Sequence, residues 1–184
     1  KVTPIPKNTG DYELKIFEDA GKMFEAIDTK NDKHDLSRIV ATFDYEHKKD
    51  GGDYYVDEIG FKGLWNTTND NRTWAERPET IKEVGSIYTV QGFDLNYVGV
   101  ILGPSVSYNE QTNQLEIISK NYKDKGAFQD FKNKSVEYIV EDTKEQIILN
   151  SINVLMKRGV KGLYIYASDE KLRQALNKAQ RGEL

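Results

Sequence analysis

The segment Val84-Gly-Ser-Ile-Tyr-Thr-Val-Gln-Gly-Phe-Asp-Leu-Asn-Tyr-Val-Gly-Val-Ile-Leu102 holds the clearest indication of architecture in the chain. It contains two apolar runs, residues 84–88 and 97–102, that do not alternate between apolar and polar positions. Unbroken runs of this length are typical of strands buried on both faces, as in a parallel sheet covered by helices. The Gln91-Gly92 pair between them predicts a turn. We therefore expect two core strands here.

Further predicted strands alternate with predicted helices on both sides of this segment. Residues 12–17 alternate in polarity, and residues 36–43 and 161–167 are continuous apolar runs, so all three are predicted strands. Asp19 and Asp169 are each placed to cap a helix that follows a strand, and residues 127–157 are predicted to be largely helical. Strands that alternate with helices indicate an α/β fold, a three-layer sandwich with a largely parallel sheet.

Two stretches between these elements are assigned from their turn residues. The Gly51-Gly52 pair predicts a hairpin turn, with residues 54–59 as the returning strand. Residues 62–80 contain Trp65 and Trp74 among many polar side chains and show no regular period, so we expect a loop.

The composition excludes several classes of protein. The chain has 184 residues, enough for one domain, and contains no cysteine, which rules out disulfides, thiolate zinc sites and cysteine nucleophiles. A net charge of −4 gives no global attraction to nucleic acid, so any phosphate contact must be local. No apolar run approaches the ~20 residues that span a bilayer. The chain opens at Lys1 without a leader, so we expect a cytoplasmic protein and a piece of a longer chain.

A nucleotide-binding P-loop is missing from the sequence. This loop needs Gly, four residues, then Gly-Lys-Ser/Thr, because backbone amides wrap the phosphates and the lysine reaches them. The chain has one Gly-Lys pair, Gly21-Lys22, which Met23 follows. If this protein hydrolyses ATP, the phosphate cradle must come from elsewhere.

One charged stretch gives an alternative, a metal-dependent nuclease. Asp44, Glu46 and Lys48 follow a predicted strand, and two carboxylates with a nearby lysine can hold Mg²⁺ and polarise water. A solvated loop after a strand matches the same pattern. The two histidines, His34 and His47, lack metal-ligand spacing, so the sequence predicts no metal site on them.

Two segments, residues 85–104 and 150–166, resemble motifs V and VI of superfamily 1 helicases. The variant is similar to that of the Schlafen-group DNA/RNA helicase-like family of bacterial proteins, and the resemblance covers nearly the whole chain. It implies a RecA-like fold, the second motor domain of a P-loop NTPase, spanning residues 1–184 as a single domain. The P-loop would then lie in an N-terminal RecA-like half of the same protein, the partner of this domain.

The resemblance also implies roles for individual residues. Gln91, Gly92 and Asp94 fall on a turn that approaches the nucleotide, where the carboxylate would accept a hydrogen bond from a sugar hydroxyl. Arg158 falls on the motif VI arginine, which reaches across the cleft between the two halves to the γ-phosphate. ATP and Mg²⁺ would be bound by the full-length protein and not by this part alone.

Ser86 and Tyr88 fall on positions that face nucleic acid, with tyrosine standing where histidine is usual. Single-stranded nucleic acid is the partner that these positions imply. A domain that has lost motor activity and serves as a nucleotide-sensing scaffold is the remaining alternative, because a shared fold does not fix a function.

Overall fold

Nine strands and three α-helices account for most of the residues that the computed structural model describes, which are 9–48, 50–67, 72–131 and 137–183. The strands are β1 Glu13–Ile16, β2 Ser37–Ala41, β3 Tyr55–Glu58, β4 Phe61–Trp65, β5 Glu83–Gly85, β6 Leu95–Leu102, β7 Val106–Asn109, β8 Gln114–Ile117 and β9 Gly159–Ala167. The α-helices are α1 Ala20–His34, α2 Glu137–Met156 and α3 Glu170–Arg181. Short 3₁₀ helices cover Trp74–Glu76, Pro78–Lys82, Ser119–Asn121 and Gly126–Phe131.

Within those residues, seven strands form one sheet in the order β1-β9-β6-β2-β5-β4-β3. Each pair of neighbouring strands in this order is parallel except the last, in which the edge strand β3 runs antiparallel to β4. The remaining two strands, β7 and β8, form a separate antiparallel hairpin. The largely parallel sheet is confirmed, and the topology is consistent with a RecA-like fold.

Helices cover both faces of the sheet because each carries a buried apolar side. Met23 and Ile27 of α1 are fully buried in one hydrophobic cluster, and Leu155 of α2 and Leu172 of α3 are buried in another, on the opposite face. Complete burial of an aliphatic side chain stabilises the fold by roughly 1.5–3 kcal/mol. The molecule is therefore a three-layer α/β sandwich, as the sequence predicts. No helix of the described residues is long and apolar enough to cross a membrane.

The predicted helix caps are confirmed at α1 and α3. The Asp19 carboxylate accepts a hydrogen bond from the backbone N–H of Lys22 at 3.0 Å, and the Asp169 carboxylate accepts one from Leu172 at 2.7 Å. These caps satisfy backbone donors that have no partner within the helix. Each cap directly follows a β-strand, so it fixes where the chain turns from the sheet into a helix.

The strand predicted over residues 54–59 is confirmed as β3, but the hairpin turn predicted at Gly51-Gly52 is wrong. Strand β3 pairs with β4, and the turn that joins them contains Gly60, whose φ of +74° favours glycine. The loop prediction for residues 62–80 is wrong as well, since it includes most of β4 and two 3₁₀ helices. As a result, the pair β4 and β3 extends the sheet beyond β5, on the side of the sheet where the candidate site lies.

Candidate functional site

A cleft of about 1070 Å³ opens at the edge of the sheet where β2, β4 and β5 end. Parallel strands place their carboxyl ends at one edge, which is where α/β proteins commonly bind ligands. The walls carry aromatic rings on segments that follow or flank these strands, namely Phe43, His47, Tyr54, Trp65 and Tyr88. The cleft therefore offers flat apolar surfaces at an open edge of the sheet.

Of the predicted nucleic-acid residues, Tyr88 lines this cleft, whereas Ser86 lies buried behind the cleft residue Asn66. Ser86 is fully buried, and its hydroxyl donates to Oδ1 of Asn66 at 2.6 Å. Tyr88 is 54% exposed and its hydroxyl donates to Asp124. Burial and that hydrogen bond raise the pKa of Tyr88, so the phenol stays protonated. Tyr88 is therefore open to the cleft, whereas Ser86 contacts only the buried side of Asn66.

Lysines surround the mouth of the cleft. Lys48, Lys123 and Lys125 line it, and the Lys123 ammonium lies 3.7 Å from a carboxylate oxygen of Glu46. An exposed pair of this kind contributes little to stability. The side chains are therefore available as local cations for phosphate groups, although the chain as a whole has a net charge of −4.

The other predicted residues lie at the opposite, amino-terminal edge of the sheet. Gln91, Gly92 and Asp94 are exposed in the turn just before β6, and Arg158 directly precedes β9, the strand beside β6. The Arg158 guanidinium lies 3.6 Å from a carboxylate oxygen of Asp94, and its Nε donates to the Val154 carbonyl at 3.1 Å. The structure thus brings the two helicase-like motifs into contact.

The two edges are separated by the length of β6, which has eight residues and so spans about 25 Å. One segment, residues 86–94, connects them, because it leaves β5 at the cleft and enters β6 at the opposite edge. Val90 in its middle is fully buried and its N–H donates to the Ser86 carbonyl at 3.3 Å. This connector is thus anchored in the core between Ser86 and Asp94.

The nuclease alternative finds no support in the geometry. Asp44 is buried, and one of its carboxylate oxygens accepts hydrogen bonds from the Thr42 hydroxyl and the Ser105 N–H, each at 2.9 Å. Burial raises the pKa of Asp44. The exposed Glu46 pairs with Lys123 instead. Across residues 9–48, 50–67, 72–131 and 137–183, no group of three or more histidine or acidic side chains is placed to hold a metal ion.

Asn66 is a residue of the cleft that the sequence interpretation missed. Its side chain is only 4% exposed although it lines the cleft, and its φ of +54° lies in the left-handed region. The signal that could have found it is a polar residue directly after a strand, where parallel sheets place functional side chains. The strand itself had been assigned to a loop.

Comparisons with known proteins agree with the family resemblance. The family described as Schlafen group 3, DNA/RNA helicase domain, matches residues 1–169. The chain is 45% identical over 170 residues to YPL245W, an uncharacterized protein of Saccharomyces cerevisiae. The matched region covers 90% of this chain and 37% of the yeast protein. No solved structure matches the chain.

The yeast relative corrects one expectation, that the family is bacterial. This chain spans little more than a third of that relative's length. The family match covers both of the segments that resemble motifs V and VI and all seven strands of the described sheet. The chain therefore belongs to the Schlafen group 3 DNA/RNA helicase domain family.

Proposed function

We propose that this chain is the second RecA-like half of an ATP-dependent nucleic-acid helicase or translocase of the cytoplasm. The observation that carries the proposal is the contact between Asp94 and Arg158, which come from separate motifs and meet at one exposed edge. The sequence contains no P-loop, so the phosphate cradle belongs to another part of the full-length protein. ATP and Mg²⁺ would lie between the two halves.

Arg158 supplies a permanent positive charge at this edge. Its side chain is 21% exposed, and the Val154 carbonyl holds Nε while the terminal nitrogen Nη1 lies 3.6 Å from Oδ1 of Asp94. A guanidinium held in this way can stabilise charge on phosphoryl oxygens, because its planar fork donates two parallel hydrogen bonds. The residues therefore fit one wall of a nucleotide site, with Asp94 free to accept from a ribose hydroxyl once the pair opens.

The connector of residues 86–94 links nucleotide and nucleic acid in this proposal. Tyr88 at the cleft offers an exposed ring to a base, and the lysines at the mouth offer charge to phosphates. Asp94 at the other end responds to the nucleotide. Coupling between the two ends would pass through Val90, which is fully buried between them.

The decisive experiment replaces Arg158 in the full-length protein. Arg158→Ala should lower ATP turnover well over tenfold while nucleotide binding changes much less, since arginine fingers contribute ~10³–10⁵ in rate elsewhere. Arg158→Lys is the matched variant, because it keeps the charge but loses the fork. The free energy of unfolding in urea should change by less than about 1 kcal/mol, since the carboxylate of Asp94 in this pair is exposed to solvent.

Two outcomes would contradict the proposal. Turnover that survives Arg158→Ala while the protein melts several degrees lower would make Arg158 a structural residue. A full-length protein that binds ATP without hydrolysing it, in the presence or absence of nucleic acid, would be a nucleotide-sensing scaffold instead of a motor.

A further inference from the structure

Asn96, near the start of β6, holds the turn that joins α1 to β2. Its side-chain Nδ2 donates to the backbone carbonyl of His34 at 2.7 Å and to that of Asp35 at 3.2 Å. Its own backbone N–H donates to the Leu36 carbonyl at 2.8 Å. Three consecutive carbonyls of this turn therefore accept hydrogen bonds from one residue of another strand.

The turn that Asn96 holds is strained. Asp35 has a φ of +54° and Leu36 has a φ of +44°, values that residues with a side chain rarely adopt. The strain is greater at Leu36, because an apolar side chain cannot compensate by a local hydrogen bond as aspartate can. Strained backbone persists only where its surroundings fix it, and it occurs most often beside active and binding sites. Asn96 supplies three of the hydrogen bonds that fix it here.

The two residues before Asn96 belong to the contact between the helicase-like segments. The Asp94 carboxylate lies 3.6 Å from the Arg158 guanidinium, and the backbone N–H of Leu95 donates to the Arg158 carbonyl at 2.8 Å. Residues 94–96 thus contact β9 on one side and β2 on the other. The hydrogen bonds of Asn96 form the attachment on the β2 side.

The attachment on the other side is irregular at the same place. Leu95 pairs with Gly159 and Tyr97 pairs with Gly162, so over this interval β9 has one residue more than β6. An additional residue of this kind is a β-bulge, which interrupts the ladder and bends the strand that carries it. Because the interruption lies opposite Asn96, the direction in which the preceding turn enters β6 depends on the bonds that Asn96 makes to β2.

That direction determines where the Asp94 carboxylate points. The side chain of Asp94 is 68% exposed, so packing does not hold it in place. Asn96 has no need to reach the ligand itself, since both hydrogens of its NH₂ group are already donated to the turn. Its effect on a bound molecule would therefore pass through Asp94.

We propose that Asn96 is a positioning residue of the nucleotide site. By attaching β6 to the strained turn at residues 34–36, it aims the Asp94 carboxylate at a ribose hydroxyl of the bound nucleotide. The inference rests on the proposed function, which supplies the nucleotide. It adds a residue that the family resemblance did not single out.

The test measures how well the full-length protein distinguishes ATP from 2′,3′-dideoxyATP, which lacks both ribose hydroxyls. Isothermal titration calorimetry gives the affinity for each nucleotide. The unaltered protein should bind ATP about tenfold more tightly, the effect of one hydrogen bond to a charged group. Asp94→Ala should abolish this preference. Asn96→Ala should reduce it to about threefold or less, with the affinity for dideoxyATP changed by less than about twofold.

Two further variants separate positioning from general stability. Asn96→Asp keeps the shape of the side chain but turns an acceptor towards the two carbonyls, so it should lose the preference as well. Asn121→Ala is the matched control, because Asn121 Nδ2 donates to the Pro104 carbonyl at 2.8 Å, just beyond the opposite end of β6. It should leave the preference unchanged. In an Asp94→Ala background, Asn96→Ala should have no further effect on ATP affinity.

The outcomes distinguish this inference from the proposed function. A full preference for ATP in both Asn96 variants, together with its loss in Asp94→Ala, would overturn the inference and leave the proposed function standing. An equal loss of affinity for both nucleotides in the Asn96 variants would make Asn96 a structural residue, which also overturns the inference. An unaltered protein that does not bind ATP, or a preference that survives Asp94→Ala, would overturn the role of Asp94 in the proposed function and the inference with it.

Discussion

At the scale of single residues, Glu13 joins three parts of the sandwich. Its carboxylate accepts hydrogen bonds from Lys30 of α1 and, at 2.7 Å, from the Tyr164 hydroxyl of β9, and it lies 3.1 Å from the Lys15 ammonium. Burial acts to raise the pKa of Glu13, but these hydrogen bonds outweigh burial and hold the pKa at about 2. The ionised carboxylate therefore stabilises the fold.

Glu13→Gln should lower the free energy of unfolding by about 1 kcal/mol at neutral pH, the usual contribution of a partly exposed charged hydrogen bond. The pKa of Glu13 is lower in the folded state than its unfolded value, near 4.5, so the charged carboxylate stabilises the fold fully at pH values above 4.5. This stabilisation is lost as the pH falls through about 2. The difference in urea midpoint between the two proteins should therefore be full at pH 6 and vanish near pH 2. Glu25→Gln, on the exposed side of α1, is the control. A difference that does not change with pH would contradict this account.

The sequence could predict residues that belong to a motif but not residues that depend on long-range packing. Asp94 and Arg158 are each recognisable beside a predicted strand, and the structure places them in contact. The hydroxyl of Ser86, which follows β5, holds the side chain of Asn66, which follows β4. No local sequence pattern therefore indicates how the Asn66 side chain is oriented. Its position at the cleft follows from the pairing of β4 with β5.

At the scale of elements, the β3–β4 hairpin shows why local turn signals alone misplace a hairpin turn. The pair Gly51-Gly52 is the stronger local turn signal, yet the chain turns at the single Gly60. Strand β4 does alternate in burial, with Phe61, Gly63 and Trp65 inside, but a five-residue strand with a lysine and a glycine in its middle has weak strand propensity. What fixes this hairpin is its contact with α1, since the Gly21 N–H donates to the Ile59 carbonyl at 3.1 Å.

That contact makes Gly60→Ala more damaging than its positive φ alone predicts. A Cβ at Gly60 would lie 2.6 Å from the Asp19 oxygen that caps α1, whereas a Cβ at Gly51, with a φ of +79°, would meet nothing within 4 Å. Gly51→Ala should cost only the conformational strain, about 1 kcal/mol. Gly60→Ala has the same strain and also displaces the Asp19 carboxylate that caps α1, so it should lower the free energy of unfolding by about 2–3 kcal/mol. Urea unfolding measures the loss of stability in each variant. Equal losses would show that the start of α1 shifts to accommodate the new Cβ at no further cost.

At the scale of the whole molecule, the order of the sheet lies beyond local patterns. Strand types and the parallel sheet follow from apolar runs that alternate with helices, and these expectations are confirmed. The placement of β1 beside β9 and of β5 between β2 and β4 depends on which helix covers which face. Propensity carries no information about that choice, so only tertiary packing determines it.

Charge and the missing P-loop determine how the isolated chain should behave. We expect negligible ATP turnover, because the sequence encodes no phosphate cradle. Binding to single-stranded oligonucleotides should be weak and fall steeply with salt, since the net charge is −4 and the available lysines are local to the cleft. Anisotropy titrations at several salt concentrations measure this dependence. Sub-micromolar binding that persists in high salt, or steady turnover by the pure chain, would contradict the prediction.

The pairing of the first strand with the last has a consequence for synthesis on the ribosome. Residues Glu13 to Ile16 pair with Gly162 to Ile165, and β9 also forms the link between β1 and β6. Until β9 emerges, the nascent chain displays two unpaired strand edges and the apolar side of α1 that rests partly on Tyr164. Cotranslational folding of this sheet can therefore close only when almost the entire domain has been translated, and the earlier portion must stay shielded from aggregation until then.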